Sequence, residues 1–128
     1  MAAELPKPTD PELEILTVLW SIGSGTVRDL HTVINQRRPA EYSTLLKFMQ
    51  IMTEKGLVEV DQTERAHVYT PARPREFTQR QLAGDLLQRV FGGSAKGLFL
   101  GALSARKTSK KELAELRKLL DEHQRGRK

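Results

Sequence analysis

The hydrophobic pattern of this chain changes period at Gly56, and that change limits the fold more tightly than any other feature. Before it, apolar residues recur at the spacing of helix faces. Directly after it, LVEVD (57–61) and HVYT (67–70) are β-branched or alternating runs with QTERA between them, which reads as a hairpin. Pro71 and Pro74 close the second strand. A short helical unit that runs straight into a hairpin is the element order of a helix-turn-helix with a wing.

The helical part divides by its caps. A first helix is predicted from Asp10 to Trp20, with Thr9 as cap and Glu12 as its capping-box partner. Leu13, Leu16 and Trp20, widened by Ile15 and Leu19, give it one core-facing stripe, and Ser21 to Gly25 read as a turn. The second helix starts behind Thr26, with Asp29 placed to complete its cap, and Arg37-Arg38-Pro39 ends it. The third is predicted over Ser43 to Lys55, with Gly56 as a left-handed terminator. Leu45, Met49 and Met52 are its buried stripe, and Ser43, Thr44, Lys47 and Gln50 its opposite arc.

Beyond Pro74 the pattern is helical again. Phe77, Leu82, Leu86, Leu87, Val90 and Phe91 support one long helix, broken at Gly92-Gly93-Ser94. LFLGAL (98–103) is a short apolar helix, and Thr108 or Ser109 caps a last one through KKELAELRKLLDEH, striped by Leu113, Leu116, Leu119 and Leu120. The arm has apolar faces and too little chain to enclose them, so a second copy is the expected cover. The expected interface is Leu86, Val90, Phe91, Leu98, Leu100, Leu113, Leu116 and Leu120. The reading is mainly α with a small β-hairpin: a winged helix-turn-helix domain, 1–74, followed by a helical dimerisation arm, 75–128.

Composition narrows the chemistry. The chain has 128 residues, no cysteine and a net charge of +5. The absence of cysteine removes disulfides, thiolate metal sites and thiol nucleophiles, and a reducing cytoplasm is the expected compartment. No apolar run reaches membrane-spanning length, and the opening MAAELPKPTD lacks the basic start and apolar stretch of a signal peptide. The positive charge suggests nucleic acid, yet residues 1–74 carry 8 Lys/Arg against 10 Asp/Glu while 75–128 carry 13 against 6. Charge alone does not place DNA on the first half. The pattern must.

On the third helix, Ser43 and Thr44 suit phosphate or a thymine methyl, Lys47 suits guanine and Gln50 adenine. At the hairpin tip, Arg65 is a candidate for a minor groove or a phosphate, with His67 and Tyr69 as backbone contacts, although Glu64 beside them weakens the field. Arg28 lies where a helix N-terminus meets phosphate. Arg37 and Arg38 read as solvated charge, and the RGRK tail as unstructured. The three histidines are widely separated, and His31 reads as packing or surface rather than a ligand. No phosphate loop, metal motif or catalytic constellation is present, so no enzyme activity and no cofactor are expected.

ELEILTVLW, TVRDLHTVI, EYSTLLKFMQIMTEKGLVE and RAHVYTP, in that order and followed by LLQRVFGGSAKGLFLGAL and ELAELRKLLDE, resemble the penicillinase-repressor (BlaI/MecI/CopY) family of transcriptional regulators over nearly the whole chain. The resemblance implies a winged-helix domain, a helical dimerisation domain and repression by operator binding, with helix residues such as Ser43, Thr44 and Lys47 reading the major groove. Tyr42 beside them is a further candidate for DNA contact. In β-lactam-responsive members, a membrane sensor-protease leads to cleavage of an Asn-Phe bond in the arm. Gly101-Ala102 stands at that point here, and Ile51 stands where many members carry an arginine. Without cysteine, thiolate copper sensing is excluded, and the inducing signal is left open.

The expected protein is a cytoplasmic homodimer bound to a double-stranded dyad operator. A winged-helix protein-interaction adaptor and a non-specific nucleic-acid-binding protein are the alternatives.

Overall fold

The structure, a computed structural model, describes residues 6–126. The first five residues of the N-terminal stretch and the last two of the basic tail, Arg127 and Lys128, lie outside the described residues. The chain divides into two compact units, 1–83 and 84–128.

The first two helices start where a side chain can satisfy their open amides. The α1 helix (Asp10–Ile22) has the capping box in full: Glu12 N donates to Thr9 Oγ1 at 3.4 Å, and Thr9 N donates to Glu12 Oε1 at 2.9 Å. It runs two residues past the expected Trp20, because the chain first reverses at Gly23, whose φ of 89° costs an L side chain dearly. Its buried stripe is Ile15, Leu16, Val18 and Leu19, so the face is centred between the expected positions, with Leu13 and Trp20 at its half-buried edges. Thr26 and Asp29 build the same reciprocal cap on α2 (Val27–Arg37). The α3 helix (Tyr42–Lys55) buries Leu45, Met49 and Met52 and ends at Gly56 in the left-handed conformation, φ 80° and ψ 17°.

Strands β1 (Val58–Asp61) and β2 (Val68–Pro71) pair antiparallel with Val58 opposite Pro71 and Asp61 opposite Val68. Pro71 is therefore the last strand residue and not the one after it. On its other side β2 meets Gly25, which exchanges two backbone hydrogen bonds with Tyr69, of 3.0 and 2.8 Å. This bridge ties the wing to the α1–α2 turn and buries Tyr69, 5% exposed, in the core with Leu19, Leu30 and Ile34. The core thus joins all three helices and both strands. Each fully buried Leu, Ile or Met contributes about 1.5–3 kcal/mol by leaving water.

The α4 helix (Arg75–Arg89) begins within the first unit. There Trp20 Nε1 donates to the Arg73 carbonyl at 3.0 Å, and the guanidinium of Arg75 stands 6.0 Å from the Trp20 ring. Thr78 is buried.

In the second unit Val90 and Phe91 lie in a turn after α4, where one long helix is expected from the sequence. Gly92 and Gly93 have positive φ and form the turn that ends α4. The Phe91 ring then covers the glycine face of α5 (Ala95–Ala105): a Cβ built at Gly101 would touch two of its ring carbons at 3.4 Å. Ser94 caps α5 through the Gly97 amide at 2.9 Å, so this helix is longer than the apolar segment 98–103. Ser109 caps α6 (Lys110–Gly126), and Arg125 and Gly126 of the expected unstructured tail are helical. No described residue of α5 or α6 is buried.

Candidate nucleic-acid interface

Two side chains of α2 set the turn into α3. Asn35 Oδ1 accepts from the Ala40 amide at 3.1 Å, and His31 Nε2 donates to the Ala40 carbonyl at 2.8 Å. Both polar groups of one turn residue are thus held by one helix. The His31 ring also meets Tyr42 edge to face, centroids 5.9 Å apart, and so props the first residue of α3. No side chain caps α3 at Glu41, unlike α1 and α2.

Ser43, Lys47 and Gln50 are exposed along the line opposite the buried stripe of α3. Thr44 is exposed on one flank, in a groove it shares with Asn35, Pro39, Glu41 and Phe48. Tyr42 and Leu46 form the other flank, which faces the wing.

Between that flank, the start of α2 and the hairpin lies an open cleft of about 390 Å³. Arg28, Tyr42, Arg65 and His67 all line it, so four candidates from three elements converge. Arg28 stands in the first turn of α2, beside the Asp29 carboxylate that caps this N-terminus. Tyr69 lines the cleft floor; burial and then the neighbouring Tyr42 push its hydroxyl pKa above the usual value. At the wing tip Thr63 donates to Asp61 Oδ1 through its amide and hydroxyl, at 2.9 and 2.7 Å, which holds that carboxyl below the ordinary range. Arg38 pairs with Glu14 across to α1 and is not part of the cleft.

Leu46 of this surface escaped the sequence reading as a contact residue, as did the clamp made by His31 and Asn35. Leu46 had a signal, since it is apolar yet off the buried stripe. The clamp had none, because its partner is a backbone. Among the described residues no helix is long and apolar enough to cross a membrane, and no cluster of His, Cys, Asp or Glu is suited to a metal ion.

The family model for the penicillinase repressor matches residues 8–122. The chain belongs to the penicillinase-repressor family. With that, the expected DNA-binding transcriptional repressor in a winged-helix fold stands. The chain is 23% identical over 125 residues to a penicillinase repressor of Bacillus licheniformis, covering 98% of both chains. It is 32% identical over 89 residues to the transcriptional regulator BlaI of Mycobacterium tuberculosis, 69% of this chain and 64% of that one. In fold it resembles the solution structure of the DNA-binding domain of the repressor BlaI, with a TM-score of 0.51 and 22% identity over 58% of this chain and 90% of that one. This penicillinase-repressor family member thus carries its candidate interface on the winged-helix unit.

Proposed function

We propose that this repressor binds a dyad operator as a homodimer, with α3 in the major groove and the wing along the adjoining backbone. The observation that carries the reading is the convergence of Arg28, Tyr42, Arg65 and His67 in one cleft beside the exposed face of α3. Phosphate needs cations, and the cleft offers the guanidinium groups of Arg28 and Arg65. Base edges need forked or pointed polar groups on a helix that fits the groove, which Ser43, Thr44, Lys47 and Gln50 supply. Phosphate contacts give affinity, and base contacts give sequence preference.

The dimer is assigned to the second unit. Leu86, Val90, Leu100, Leu113 and Leu120 are 39–60% exposed there, and Phe91, Leu98 and Leu116 are half-buried. Phe99 and Leu119 are also exposed, at 37 and 60%. Two copies would set their α3 helices in successive major grooves, about one helical turn apart or more. The setting is the cytoplasm, where the operator is. A membrane sensor-protease is the inducer in β-lactam-responsive members, but Gly101-Ala102 stands in place of the Asn-Phe bond, so that route does not follow for this chain and the signal is open.

Titration of an operator duplex at several salt concentrations tests the reading. Wild type should lose affinity steeply with salt, and Arg65→Ala should lower that slope by about one phosphate contact. Lys47→Ala should weaken binding by about tenfold or more and relax preference at one base pair, with an unchanged melting temperature. Equal binding by Lys47→Ala and wild type would remove Lys47 from the readout. Salt-independent binding would instead favour a protein-interaction adaptor, and binding without operator preference a non-specific nucleic-acid protein.

A further inference from the structure

The outward face of α3 carries polar readers on its centre line, and an apolar side chain stands directly beside them. Leu46 is 37% exposed and lines the cleft together with Arg28, Tyr42, Arg65 and His67. It follows Tyr42 by one helical turn and lies outside the stripe of Leu45, Met49 and Met52. A lone exposed leucine is ordinary on a protein surface. This one sits among cationic groups, on the face that the operator reading puts against DNA. Bringing it out of water is favourable only against another apolar group. The major groove offers one such group on its base edges, the C5-methyl of thymine. The remaining edges present donors and acceptors that a leucine leaves unsatisfied.

We propose that Leu46 is a specificity-determining residue that reads a thymine methyl group in each half-site, on the wing side of the base contacts made by Lys47. The proposal rests on the operator reading above. Tyr42, 46% exposed and propped by His31, bounds the same apolar spot from the start of the helix. Leu46 gains contact with thymine and penalises cytosine, whose exocyclic amine would be desolvated against it. Polar reasoning about recognition helices overlooks such a residue because it makes no hydrogen bond.

Uracil in place of thymine removes the methyl and leaves base pairing intact. An operator is first selected from random duplexes by the full-length protein, and its thymines are then replaced by uracil one at a time. With wild type, one thymine per half-site should cost about fourfold in affinity, the size set by withdrawing one methyl from contact. That penalty should vanish in Leu46→Ala and persist in Leu46→Met, which keeps an apolar contact. Uracil tolerated at every position by wild type overturns the proposal with no variant needed, and so does a penalty that survives in a folded Leu46→Ala. In both cases the operator reading stands. A selection that yields no preferred duplex overturns the operator reading and the proposal together.

Discussion

Glu12 marks how far a residue can be read from its neighbours. Its distance from Thr9 announces the capping box, because both partners lie within one turn. Nothing local announces Lys55, whose Nζ reaches Glu12 Oε1 at 2.7 Å from the far end of α3. The Glu12 side chain is 4% exposed and that of Lys55 31%. Burial, the largest single influence, raises the Glu12 pKa, but the bonds from Lys55 and Thr9 together outweigh it and hold the carboxyl below its usual 4.5. The folded chain therefore binds this proton less readily than the unfolded chain. The stabilisation is complete above about pH 4.5 and drains away as pH falls through the lower folded value. Glu12→Gln should cost about 1–3 kcal/mol at neutral pH and flatten the acid side of the stability profile. Urea unfolding of both proteins at neutral and acid pH checks this. An acid limb that keeps its full slope in the variant would assign it to other carboxylates, such as Glu14 beside Arg38.

Elements were legible where their signals are local. The caps at Thr9 and Thr26, the buried stripe of α3 and the change of period at Gly56 all act within a few residues, and all appear in the structure. Boundaries set by contacts at a distance were harder. The extent of α1 depends on which of several turn-forming residues first reverses the chain, and Gly23 does so. Val90 and Phe91 continue a helical pattern in sequence, yet the turn at Gly92 and Gly93 lets Phe91 pack on α5. The joint of α3 and β1 gives a test of the local signals. An added Cβ at Gly56 would meet nothing within 4 Å, so any cost of Gly56→Ala comes from φ of 80° alone. That conformation should cost about 1–2 kcal/mol, read as an earlier urea midpoint with an unchanged slope. A neutral substitution would mean that the joint relaxes out of the left-handed region.

The molecule as a whole distributes its core unequally. The first unit encloses a set of nearly inaccessible side chains, whereas α5 and α6 bury none and expose Leu100, Leu119 and Leu120 by more than half. So much leucine is seldom left in water without a partner for it. The apolar faces were readable in the helical stripes, and Phe99 lies within the apolar segment 98–103, but its 37% exposure was not readable from spacing alone. If the arm pairs with a second copy, its folding is tied to association, and the melting temperature of the full chain must rise with protein concentration. A fragment ending at Ala83 keeps buried Thr78 and the Trp20 contact with Arg73, and its melting temperature should not depend on concentration. Fluorescence of Trp20, the only tryptophan, reports whether the fragment is folded. Sedimentation should give a monomer for the fragment and a dimer for the full chain. With only one half-site engaged at a time, the fragment should bind the operator about 10²–10⁴-fold more weakly, the range gained by linking two binding events. A dimeric fragment would place the interface outside the arm. A full-length melting temperature constant over a hundredfold range of concentration would show that folding is not tied to association. Either result leaves the arm's leucines in need of another partner.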